Sequence, residues 1–178
     1  MTKKATYRLF LFSFIAAFFF SCKKENTVVD NFTIKMDAII VKNDSIHAYY
    51  TTDGTINFNE EQSFWTQVKG NKKNQEITIT FPKNVVPNQF RLDFGNTLLQ
   101  DDIVLNKLEM EYKNKKIVLK GRKIYELLRV DVNNTFLDKE IGLLIRKDKT
   151  NKNGPSLYPN GDYLRLKLVE FTSNKNNQ

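Results

Sequence analysis

Tyr49, Tyr50 and Trp65 carry flat apolar rings, and Arg91 and Asp93 carry opposite charges two residues apart. Rings that stack on the apolar face of a sugar, beside charged or amide groups that pair with its hydroxyls, are what a carbohydrate site requires. Tyr49 and Tyr50 are consecutive, as are Phe64 and Trp65. In an extended strand one member of each pair faces inward and the other outward. The outward members are expected to be stacking platforms, with Arg91 and Asp93 as polar contacts unless they only pair with each other across the strand face. A surface for assembly with an envelope protein would use the same exposed rings and stands as the alternative.

Other chemistries find less support. The chain has one histidine and one cysteine, which excludes multi-histidine metal sites and internal disulfides. No G-x-S-x-G, P-loop or dinucleotide fingerprint occurs. His47 falls in a predicted strand and reads as a surface residue. Glu109 and Glu111 share a strand face with Lys107 and Lys113, which reads as the wet side of a sheet. A carboxylate-based glycoside hydrolase, which needs two acids across a cleft, remains the enzymatic alternative. The oxygen-rich run Asp148 to Gly154 carries Lys149 and Lys152, which oppose a dication, so it reads as a solvated loop. Asp101-Asp102 reads the same way. No metal or other cofactor is expected. Lys113, Lys115, Lys116, Lys120, Arg122 and Lys123 read as a solvated hairpin, with an anionic glycan surface as the functional alternative and nucleic acid set aside.

The N-terminus carries an address. Lys3, Lys4 and Arg8 precede an apolar run from Leu9 to Phe20 broken only by Ser13. That run is shorter than the about 20 residues a comfortable membrane span needs, and it has the layout of an export signal. Phe19-Phe20-Ser21-Cys22 resembles the lipobox of bacterial lipoproteins, with Ser21 and Cys22 matching the pattern. The resemblance implies removal of residues 1–21 and acylation of Cys22 by a diacylglyceryl group and an amide-linked chain such as palmitate. Several chains hold a protein firmly on a membrane, at about 0.8 kcal/mol per buried methylene. Lys23 stands where the family's inner-membrane retention signal has aspartate, so the resemblance implies the outer membrane, facing either the periplasm or outside. The mature chain would be 157 residues with 25 basic and 20 acidic side chains, and residues 22–29 would form the acylated tether.

The elements that must carry the candidate site follow a period of two. Phe32, Ile34, Met36, Ala38 and Ile40 alternate with more polar residues, the mark of a strand with one buried face. Asn43-Asp44-Ser45 is a turn, after which Ile46 to Tyr50 closes an expected hairpin. Short strands are expected over 55–58, 64–68 and 77–81, with a polar loop over 70–75. Phe90, Leu92 and Phe94 share one face, with Arg91 and Asp93 on the other. The alternation slips by one between Leu105 and Leu108, which predicts a β-bulge near Asn106-Lys107. Ile117 and Leu119 form a hairpin partner after Lys113-Asn114. Ile124, Leu127 and Leu128 predict one short helix. Late strands are expected over 141–145 and 163–171, separated by a loop over 148–162, with a frayed tail at 173–178.

Nine or ten short strands with turns every eight to twelve residues predict an all-β, antiparallel sandwich of jelly-roll type over residues 30–172. Phe90-Arg91-Leu92-Asp93-Phe94-Gly95 resembles a strand of jelly-roll sandwiches in bacterial polysaccharide systems, which implies a carbohydrate-linked β-sandwich. Asp44-Ser45-Ile46 resembles a bacterial O-glycosylation acceptor.

Overall fold

The computed structural model describes residues 29–98, 100 and 102–173. The signal segment, Cys22 and residues 174–178 lie outside the described residues.

The domain is an antiparallel β-sandwich. Its strands are β1 (Val29–Ile40), β2 (Asp44–Thr51), β3 (Ser63–Val68), β4 (Asn71–Thr80), β5 (Gln89–Phe94), β6 (Ile103–Lys113), β7 (Lys115–Lys120), β8 (Leu128–Val130), β9 (Thr135–Asp138), β10 (Leu143–Arg146) and β11 (Ser156–Pro159). Two helices, α1 (Ile124–Leu127) and α2 (Tyr163–Thr172), complete it. One sheet has the order β4-β1-β6-β10-β9, with β7 also paired to β6; the other has the order β3-β2-β5-β11-β8. The alternating residues of β1 and β5 point between the sheets. Phe32, Ile34, Met36, Phe90, Leu92 and Phe94 are fully buried there. Phe32 meets Phe81 edge to face at 5.1 Å, a favoured aromatic geometry.

The bulge lies where the alternation slips. Asp37 pairs with Lys107 and Ala38 with Leu105, leaving Asn106 as the extra residue. The β6–β7 hairpin turns at Lys113-Asn114, with Lys113 at a φ of 52°. Gly142 ends the turn between β9 and β10, where it packs against β6. Its φ is 68°, and a Cβ there would lie 2.2 Å from the Leu105 carbonyl oxygen.

Five local expectations are corrected. β1 and β2 do not form a hairpin. The chain crosses at Val41–Asn43 from one sheet to the other, because the inward faces of both strands need the same core. Residues 55–58 are not a strand; Asp53 Oδ1 accepts from Thr55 N at 2.9 Å, and this turn chemistry leaves Ile56 exposed. The polar stretch after Gly70 is already strand, because β4 extends to pair Asn71 with Ile40. The Pro-flanked loop contains β11, which fills the space between β5 and β8. Residues 163–172 are helical rather than extended. Leu164, Leu168 and Phe171 satisfy helical spacing as well as Leu164, Leu166 and Leu168 satisfy a strand, and the helix buries the former set while Leu166 and Val169 stay exposed. Lys115 Nζ donates to the carbonyls of Phe171 and Ser173 at 3.3 and 2.7 Å and so satisfies the helix C-terminus.

Candidate functional site

The outward residues of the five-stranded sheet form the floor of a cleft of about 450 Å³. Strand register builds it. Trp65 lies opposite His47, and His47 opposite Asp93. Asp93 lies opposite Ser156, so one row of outward side chains crosses four strands. A second row sets Ser63 beside Tyr49 and Tyr49 beside Arg91. Alternation in β2, β3 and β5 makes this unavoidable once the inward residues enter the core.

The rings and cations of the floor are stacked. Trp65 stacks on His47 with centroids 3.9 Å apart and planes 19° from parallel. His47 meets Tyr49 at 4.0 Å. The Arg91 guanidinium lies 4.9 Å from the centre of the Tyr49 ring and 4.4 Å from that of Tyr158, close enough for cation–π attraction. Trp65 is the exposed end of this row, at 48% of its surface, whereas His47 and Tyr49 are buried at 4% and 8%.

Arg91 is also held by Asp93, with Nε donating to Oδ1 at 2.8 Å and Nη2 to Oδ2. Burial works against the Arg91 charge, but the Asp93 bonds outweigh it and raise its pKa. The Tyr49 hydroxyl donates to Glu60 Oε1 at 2.7 Å. Burial, reinforced by that carboxylate, pushes the phenol well above its ordinary value. His47 Nε2 lies 2.9 Å from Ser63 Oγ and 3.6 Å from Glu60 Oε2. The Ser63 hydroxyl donates to the Glu60 carbonyl at 2.9 Å, so the imidazole Nε2 serves as the donor toward Ser63 Oγ. This is the reverse of what a serine nucleophile needs. Burial lowers the His47 pKa, and the Glu60 carboxylate opposes that only in part.

Loops supply the walls: Glu60 from a 3-10 turn, Asn96 after β5, Asp131 and Asn134 between β8 and β9, and Asn153-Gly154 before β11. Gly154 is required by close approach. A Cβ there would fall 1.4 Å from the Phe94 carbonyl oxygen, where the chain closes against β5 through Phe94 N donating to Pro155 O at 2.8 Å.

Four of the five sequence-nominated residues therefore meet in one cleft: Tyr49, Trp65, Arg91 and Asp93. Tyr50 does not. It points to the core, 5.8 Å from Phe81 and 6.5 Å from Phe64 between ring centroids. Arg91 and Asp93 are bound to each other, and Tyr49 is floor rather than exposed platform. His47 is corrected from surface residue to buried centre of the row, because Trp65 stacks on it from the neighbouring strand and Tyr49 packs beside it on its own strand. Tyr158, Asp131 and the wall asparagines carried no sequence signal. Tyr158 lay in a stretch whose prolines concealed a strand, and the others converge only through loop placement.

The remaining nominations lie elsewhere. Glu109 and Glu111 sit on the outer face of the six-stranded sheet among Lys35, Lys107 and Lys116. Asp148 Oδ1 accepts from Thr150 N and Oγ1 at 2.8 and 2.7 Å, which is turn chemistry, and Asp102 pairs with Lys149 at 2.7 Å. Of the basic run, Lys115 caps α2, Lys116 lies 3.7 Å from Glu109 and Arg122 pairs with Glu140. Ser45 is buried within β2 at 8% exposure. Among the described residues no three acidic, histidine or cysteine side chains converge as a metal site requires. Comparison with protein-family models, with curated proteins and with solved structures finds no match to this chain.

Proposed function

We propose that the chain is a lipid-anchored outer-membrane protein whose β-sandwich binds carbohydrate in the cleft on its five-stranded sheet. The observation that carries the reading is Trp65. Nearly half its surface is open, its ring is braced from behind by His47, and it borders a cleft walled by amides and carboxylates. An apolar ring face beside hydrogen-bonding groups suits a pyranose. Arg91 is occupied by Asp93, so Asp131, Glu60 and the asparagines are the groups offered to hydroxyls.

Calorimetry of the full chain against a panel of envelope polysaccharides tests this. Binding is expected to be weak, and Trp65→Ala is expected to lower affinity about tenfold, equivalent to about 1.4 kcal/mol, while leaving the fold intact. Absence of any glycan binding, with Trp65→Ala instead releasing a co-purifying protein, would replace the reading with envelope assembly. The anchor rests on Cys22 and the apolar run before it. Cys22→Ala is expected to abolish acyl labelling in the producing cell and to shift the protein off the outer membrane; unchanged membrane partitioning would defeat it.

A further inference from the structure

The helix α2 closes one end of the sandwich. Leu164, Leu168 and Phe171 are buried beneath it. Arg165 Cδ lies 3.1 Å from where a Cβ on Gly54, in the turn after β2, would sit. At the other end of the helix the Phe171 ring meets that of Phe32, near the start of β1, at 6.4 Å. The helix therefore reaches from one sheet to the other. Its outward side is apolar where a solvated helix is polar. Tyr163, Leu166 and Val169, at i, i+3 and i+6, keep 65%, 56% and 46% of their surface exposed. Asp162 pairs with Arg165 and Glu170 with Lys167, each at 3.0 Å, so the charges of the helix balance. The surplus charge comes from the β6–β7 turn beside it. Lys115 Nζ is held by the last carbonyls of α2 and Lys113 Nζ lies 5.2 Å from the centre of the Tyr112 ring, and neither has a carboxylate partner among the described residues.

The second observation is where the chain enters the domain. Val29 pairs with Lys113, so β1 begins beside that same turn. From Cys22 to Val29 the chain advances seven residues, which reach at most about 25 Å when fully extended. The 12 residues of β1 span about 40 Å. A chain held at Cys22 keeps the α2 end within reach of the bilayer. Setting the opposite end down would stand the start of β1 farther off than the tether extends. That opposite end carries the loops of Asn96, Asp131 and Gly154, so the cleft walls face away from the anchor.

We propose that the α2 end of the sandwich docks on the anionic lipid surface that holds the anchor. Leu166 and Val169 enter the headgroup boundary, as the apolar face of an interfacial helix does, and Tyr163 sits at headgroup level, where tyrosine is favoured. Lys113 and Lys115 lie against lipid phosphates. The proposal rests on acylation of Cys22 and is independent of the glycan reading.

The test takes the acylated protein from the producing cell into vesicles of phosphatidylcholine and phosphatidylglycerol. Cys22 is the only cysteine, so with its thiol acylated a Leu166→Cys variant carries one free thiol for a fluorophore. Headgroup-level nitroxide lipid should quench that label several-fold more than one on Val132→Cys, an exposed position beyond the far end of β8. Val169→Cys gives an independent check should Leu166→Cys fold poorly. Lys113→Gln is expected to lower the ratio of docked to undocked domain about fivefold, and omission of phosphatidylglycerol to lower it further. If the chain carries no acyl mass and does not sediment with the vesicles, the anchor reading fails and takes this proposal with it. If the chain sediments but the Leu166 label is quenched no more than the Val132 label, docking is overturned while the anchor stands. Quenching indifferent to both phosphatidylglycerol and Lys113→Gln would also overturn it. So would burial of the Leu166 label in detergent at rising protein concentration, which would assign the face to a second copy of the chain.

Discussion

The outer faces of the two sheets are built from the same alternation but do opposite things with it. On the six-stranded sheet Lys35, Asp37, Lys107, Glu109 and Glu111 form a ladder of ion pairs, with Lys35 Nζ 2.7 Å from Glu111 and Lys107 Nζ 3.3 Å from Asp37. Each charge has an opposite charge beside it, and the face presents a satisfied surface. On the five-stranded sheet the same positions hold His47, Tyr49, Trp65, Arg91 and Tyr158, and loops rise around them. A flat row of paired charges offers a ligand little. A walled row of stacked rings, with amides and carboxylates in the loops above it, offers both area and hydrogen bonds. What separates the faces is residue type and the loops at the sheet edge, since both rows obey the same period.

This contrast is open to measurement. The largest effect should come from Arg91→Ala. Its side chain is only 25% exposed and its guanidinium is held by Asp93 and two tyrosine rings, so removal leaves Asp93 poorly solvated and unpaired. A loss of about 1–3 kcal/mol is expected, read as a fall in melting temperature of about 2–4 °C per kcal/mol. A loss below that of an ordinary surface substitution would mean the aromatic face is no better packed than the ionic one.

His47 gives the five-stranded face a pH dependence. Its folded pKa is lowered by burial, so below the ordinary imidazole value of about 6.5 the unfolded chain binds a proton that the folded chain refuses. Its stabilising contribution is full above that pH and is lost as the pH falls through the folded value. Denaturation between pH 5 and 7.5 should show stability falling with acidity by up to about 1.4 kcal/mol per pH unit. His47→Gln should remove that slope. An unchanged slope would assign it to other groups.

The smallest effect is expected on the ionic face. Glu111 is held below its ordinary pKa chiefly by the Lys35 hydrogen bond, yet surface pairs of this kind contribute only about 0.2–1 kcal/mol. Lys35→Ala should cost no more than that. In 1 M salt, where screening shortens to about 3 Å, parent and variant should converge. A salt-independent cost matching that of Arg91→Ala would erase the contrast between the faces.

The sandwich was legible because period two survives wherever one strand face is buried. The Asn106 bulge was legible for the same reason, since an extra residue reverses the phase of everything after it. The site was legible in part. Alternation set Phe64 and Trp65 on opposite faces without saying which turned outward, and put Arg91 and Asp93 on the face opposite Phe90, Leu92 and Phe94. It left open which of Tyr49 and Tyr50 turned outward, because both are large and amphipathic, and it misjudged His47. A histidine's exposure depends on what lies across the strand, and the partner of His47 is 18 positions away at Trp65.

By itself the sequence determined the β class, the phase of each long strand and therefore which side chains share a face, because side-chain direction is a local property of an extended backbone. Tertiary structure alone decided that β1 and β2 enter different sheets, that residues 163–172 coil into a helix although their leucines fit two periods, and that four loops close around one row of rings. Those outcomes depend on where nonpolar area can be covered and on contacts between residues far apart in the chain, and no local pattern encodes either.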